Sequence, residues 1–68
     1  MFIVIELQTA DDGTFGNFVW AFNTQAEAEA KYHAVLSVAA TSSVHIHAAT
    51  ILRNDGMSIA FQSYTHNN

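Results

Sequence analysis

Two Asp-Gly dipeptides, Asp12-Gly13 and Asp55-Gly56, each interrupt a run in which side chains alternate in character with period two. Such alternation places successive residues on opposite faces of a strand, and Asp-Gly readily adopts the positive φ of a tight hairpin turn. Two β-hairpins are the prediction. A two-residue turn at Asp12-Gly13 pairs Leu7 with Phe18, Ile5 with Trp20 and Ile3 with Phe22 on an apolar face, with Gln8/Asn17, Glu6/Val19 and Val4/Ala21 behind it. The same count about Asp55-Gly56 pairs Leu52 with Ile59, Thr50 with Phe61 and Ile46 with Thr65. Its other side carries Arg53/Ser58, Ile51/Ala60, Ala49/Gln62, His47/Tyr64 and His45/His66.

Between the hairpins, Thr24-Gln25-Ala26-Glu27 has capping-box spacing: the threonine oxygen accepts from the first turn while Glu27 reaches back to the cap amide. A helix is predicted from there to about Ala40, with Ala28, Tyr32, Val35, Leu36 and Ala39 as its apolar stripe. The order ββαββ makes residues 1–68 a single α+β domain, a four-stranded antiparallel sheet with one helix packed on one face. A right-handed crossover gives strand order 2-1-3-4 and brings Glu6 near His47. The helix is expected over Ile3, Ile5, Leu7 and the aromatics. That leaves Phe2, Val4, Glu6, Gln8, Val19, Ala21, His45, His47, Ile51, Arg53, Gln62, Tyr64 and His66 on an uncovered, mixed face.

Sixty-eight residues without cysteine form a small core with no disulfide, and only 12% of them are charged. Both features favour self-association, most simply as a twofold dimer. Two basic against six acidic residues leave no basic stripe for a nucleic-acid polymer. The run Phe2-Ile3-Val4-Ile5 is broken by Glu6 and has no basic region before it, so neither a signal peptide nor a membrane span is expected. A cytoplasmic location follows as an expectation.

His45-x-His47 is the sharpest local spacing, with Glu6 or His66 as a third group. Two convincing imidazoles fall short of the three ligands that zinc needs, and cross-strand packing of His47 on Tyr64 accounts for the pair equally well, so no metal or other cofactor is expected. Lys31-Tyr32-His33 joins a cation, a ring and an imidazole; Tyr32 packing on the sheet, with Lys31 and His33 paired to Glu27 and Glu29, is the plainer alternative. Lys31 and Arg53 are the only permanent cations, so an anion pocket needs them, with a neighbouring subunit completing it. No glycine-rich phosphate loop or strained nucleophile turn is present, and no catalytic residue is nominated, although a His45–Glu6 dyad would suffice for acid-base chemistry.

Through Ala28-Glu29-Ala30-Lys31-Tyr32-His33, Val44-His45-Ile46-His47, the opening Phe2-Ile3-Val4-Ile5-Glu6 and the closing Tyr64-Thr65-His66, the chain resembles small proteins encoded in phages and prophages of Gram-positive bacteria. The resemblance implies a phage setting inside an infected bacterial host, where short proteins build the virion or counter host immunity by sequestering nucleotide messengers. It transfers no residue role. The resulting expectation is a non-catalytic homo-oligomer that binds a small anionic, nucleotide-derived signal. Lys31, His33 and Arg53 would contact phosphates, Tyr32 or Tyr64 would stack on a base, and His45, His47 and Gln62 would meet sugar or base edges. The competing expectations are an assembly or protein-interaction module of a phage, and a small enzyme acting on the nucleotide.

Overall fold

The computed structural model describes residues 1–67. Strands β1 (Phe2–Thr9), β2 (Phe15–Phe22), β3 (Ile46–Arg53) and β4 (Ser58–Thr65) and helix α1 (Gln25–Ala39) follow in the order ββαββ. The strands form one antiparallel sheet in the order β2-β1-β3-β4, with α1 packed on one face. Thr24 caps the helix in an extended conformation, and its oxygen accepts from the Glu27 N–H at 3.3 Å. Glu27 does not close the box on the cap amide; its carboxylate accepts instead from the Thr24 hydroxyl at 2.9 Å.

Both hairpin loops contain three residues, not two. Gly13 donates its N–H to the Ala10 carbonyl and Gly56 to that of Arg53, each at 2.9 Å, and both glycines have φ 88°. The loops are therefore Asp11-Asp12-Gly13 and Asn54-Asp55-Gly56, with the positive φ at the third loop residue, where glycine is least strained. Asp12 accepts from the N–H and the hydroxyl of Thr14, and these bonds hold its carboxyl below the ordinary carboxylate range.

The extra loop residue shifts the first hairpin by one position. Trp20 lies opposite Val4, Phe22 opposite Phe2 and Phe18 opposite Glu6, so the aromatics share a face with the even residues of β1. In the second hairpin an irregularity between Ile51 and Leu52 absorbs the added residue: Leu52 pairs with Ser58, Ile51 with Ala60, and the pairs from there to Ile46/Thr65 run as the sequence predicts.

This one-residue shift puts the helix on the opposite face of β1, β3 and β4 from the one expected: Val4, His47 and Ile51, expected on the uncovered face, are buried. Helix residues Ala28, Tyr32 and Val35 pack with Val4, Ala49 and Ile51 into the core, flanked by Phe2, Trp20, Phe22, Leu36 and Ala60. Ile3, Ile5 and Leu7 lie on the opposite, uncovered face. Across the strands that face reads Ala21/Ile3/Leu52/Ser58, Val19/Ile5/Thr50/Phe61, Asn17/Leu7/Ala48/Ser63 and Phe15/Thr9/Ile46/Thr65. None of these four rows contains an ionisable side chain.

Burial pushes the Tyr32 phenol above its ordinary range, and the charge of a nearby ionised Tyr64 adds to the effect. The folded chain thus holds this proton more tightly than the unfolded chain. Its stabilisation is complete below the unfolded tyrosine value of ~10 and is lost as pH rises through the folded one. Melting temperature should therefore fall on the alkaline side, and Tyr32→Phe should flatten that limb. An identical alkaline limb in the variant would assign the loss to other groups.

Candidate functional site

The polar groups under the helix gather at one end of the sheet, where Gln8 pairs with His47 and Glu6 with Ala49 across β1 and β3. His47 is 2% exposed. Its Nε2 lies 2.5 Å from Glu6 Oε2, and the Gln8 amide donates to the same oxygen at 3.2 Å. On the other side of the ring, Nδ1 lies 2.9 Å from Ser42 Oγ, which is itself 3.3 Å from the Ala39 carbonyl. A carboxylate only accepts, so Nε2 carries a hydrogen and the chain Glu6–His47–Ser42 ties β1, β3 and the loop after α1 together. Among the described residues, no buried side-chain polar atom lacks a partner.

That series has the connectivity of an acid, a base and a hydroxyl nucleophile. Its surroundings do not suit acyl transfer. Ser42 follows the C-terminal end of α1, where carbonyl dipoles concentrate negative charge, the reverse of an oxyanion hole. The network instead fastens the helix end to the sheet. His66 does the same from β4's side, its Nε2 donating to the Ala39 carbonyl at 2.8 Å while its ring stacks on Tyr64 at 6.4 Å.

The eight residues nominated from the sequence are distributed over the fold. Tyr32 and His47 are buried. Lys31 sets its ammonium 4.0 Å above the Trp20 ring, not on the surface pair expected with Glu27. Exposed His33 meets the edge of Tyr32. Arg53 is exposed beside the second loop and ion-paired to Asp55 at 2.9 Å. Gln62 is exposed on β4, while Tyr64 is half-buried opposite His47. His45 places Nδ1 at 3.1 Å from the His66 carbonyl and 3.5 Å from Asp11. The two histidines of His45-x-His47 thus serve different partners, and among the described residues no three His, Cys, Asp or Glu side chains converge as a metal site.

Two clefts open on the surface, and one of them borders the helix. One of about 290 Å³ is lined by Glu6, Trp20, Lys31, Ala34, Val35 and Val38. The other, of about 460 Å³, opens beyond the helix end between the first loop and the segment before β3, and Gln8, Asp11, Thr14, Gly16, Phe18 and His45 are among its lining residues. Lys31 belongs to the first and His45 to the second; Arg53 lines neither. Glu6 near His47 was legible from the strand order, and Gln8 follows from the same β1–β3 register, whereas Ser42 and Asp11 carry no spacing signal, because the segment after α1 and the first hairpin loop bring them into place. No helix is long and apolar enough to cross a membrane among the described residues. Compared with protein-family models, curated proteins and solved structures, the chain matches none.

Proposed function

We propose that the chain is a non-catalytic assembly module that pairs with a second copy of itself through the uncovered face of the sheet, an assembly role within the phage setting its resemblance implies. The observation that carries this reading is the absence of any ionisable group from the four rows of that face, in a chain of formal net charge -4. A like-charged copy can approach there without burying a charge. Val19 and Phe61, at opposite edges of one row, are 60% and 76% exposed, an arrangement that leaves large apolar surface in water unless something covers it.

The area is also adequate. Four strands of eight residues at ~3.3 Å per residue and ~4.8 Å spacing give roughly 500 Å² in projection. Two such faces, with side-chain relief added, approach the ~1,200 Å² at which standard stable interfaces begin. Sheets packed this way sit ~10 Å apart with side chains interdigitated. This reading is better supported than sequestration of a phosphate-bearing messenger. The two permanent cations are engaged separately, Lys31 over Trp20 and Arg53 with Asp55.

Light scattering at micromolar concentration should return twice the 7.4 kDa chain mass. Ile5→Lys, which places a charge in the middle of the face without touching the helix side, should return the monomer mass with an unchanged circular dichroism spectrum. A monomeric wild type, or a variant that keeps the double mass, would refute the proposal.

A further inference from the structure

Four side chains that line the larger cleft, Gln8, Asp11, Thr14 and His45, offer it acceptor atoms. Gln8 donates one amide hydrogen to Glu6 and keeps its carbonyl oxygen as an acceptor. Thr14 donates its hydroxyl hydrogen to Asp12 at 2.6 Å and keeps only lone pairs. His45 lies against the His66 carbonyl through Nδ1; a carbonyl only accepts, so that nitrogen holds the hydrogen and Nε2 of the neutral ring is an acceptor. Asp11 adds a carboxylate that is 67% exposed. Neither Lys31 nor Arg53 lines the cleft. The Asp11 carboxylate opposes an anion here.

The apolar part of the cleft includes Phe15, Val44 and Phe18, the last half exposed and stacked on Trp20 at 6.0 Å. Gly16 leaves open floor beside Gln8, and a Cβ added there would meet nothing within 4 Å. The volume of about 460 Å³ falls in the range of small-molecule sites.

We propose that this cleft binds a hydroxyl-rich ring, uncharged or ammonium-bearing, whose hydroxyls donate to Asp11, Gln8, Thr14 and His45 while its C–H face rests on Phe18. A hexosamine and the ribosyl ring of a nucleoside both present this chemistry. Phosphorylated forms are rejected by the Asp11 carboxylate. The site is complete in one chain, and Phe15, at a corner of the uncovered face, is the lining residue it shares with that face.

The test is a titration followed by amide chemical shifts, with four probes: glucosamine, glucosamine 6-phosphate, adenosine and AMP. At least one unphosphorylated probe should saturate, with shifts at Gln8, Asp11, Gly16 and His45, and its phosphorylated counterpart should bind at least about tenfold more weakly. Saturation by glucosamine alone assigns a glycan source, and by adenosine alone a nucleoside. Gly16→Leu, which fills the floor, should abolish the shifts, and Asp11→Asn should weaken binding by about tenfold. The monomeric Ile5→Lys variant should bind as the wild type does. Failure of both unphosphorylated probes to saturate, equal or tighter binding of the phosphorylated forms, or full binding by Gly16→Leu would each overturn the proposal.

Discussion

Ile51→Ala should unfold most of the population near body temperature. Ile51 is 0% exposed, set between Val4 and Ala60 in the sheet and covered by Tyr32 and Val35 of the helix. Truncating a buried isoleucine costs about 2–5 kcal/mol, because the transfer energy of the lost methyl groups is compounded by the cavity they leave. A chain of this length has only about 3–10 kcal/mol in total. The expected loss in melting temperature is on the order of 10–30 °C. Phe61→Ala is the control: at 76% exposure it should change monomer stability by less than ~0.5 kcal/mol while weakening self-association. Denaturant melts over a range of concentrations separate the two effects, since only a dimer-dependent loss varies with protein concentration. A mild loss in Ile51→Ala, matched by Phe61→Ala, would mean that the buried face under the helix is not the main core.

Much of the fold was readable because independent signals agreed on it. The capping Thr24, the stripe from Ala28 to Ala39 and the two Asp-Gly turns fix ββαββ, and the crossover rule adds the strand order. The faces were not readable to the same degree. A hairpin register depends on whether a loop holds two residues or three, and Asp-Gly occurs in both. With two, Ile5 meets Trp20, and Ile3, Ile5 and Leu7 share one side with Phe18, Trp20 and Phe22. With three, Val4 meets Trp20, and Ile3, Ile5 and Leu7 turn to the outside. The pairing that gathers the most apolar side chains under the helix looked better in isolation. The observed one leaves apolar residues on both faces of β1, and that is informative in itself: a central strand with Val4 inside and Ile5 outside suits a sheet covered on both sides. From Ile51 to Ile46 the second hairpin pairs as read, because its irregularity at Ile51/Leu52 cancels the added loop residue, while Leu52 meets Ser58 in place of Ile59.

The site was less legible than the fold because its parts come from distant segments. The sequence distance from Glu6 to His47 is bridged by strand order alone, and Ser42 and Asp11 by loop paths that no periodicity encodes. Residue type also misled. Tyr32 and His47 look like ligand-binding groups in a list, yet burial commits Tyr32 to the core and His47 to a structural bond.

The second large effect concerns that bond. Glu6→Leu should destabilise the chain by about 3–5 kcal/mol if His47 carries a full charge, and by about 1–3 kcal/mol if the ring is neutral, because either way the buried Nε2–H loses its acceptor. His47→Leu should cost less. The side chain of Glu6 is 13% exposed against 3% for His47, and it borders the cleft that contains Lys31, so its carboxylate keeps Gln8 and gains water. The double variant should be more stable than the sum of the single losses predicts, since neither polar group is then left alone in the interior. Chemical denaturation of the four proteins gives the coupling energy directly, and strictly additive losses would show that the pair does not act as a unit. If the double variant equals or exceeds the wild type in stability while keeping its fold and oligomeric state, the pair is retained for something other than stability. The exposed edge of Glu6, facing Trp20 and Lys31, is then the place where a second role would act.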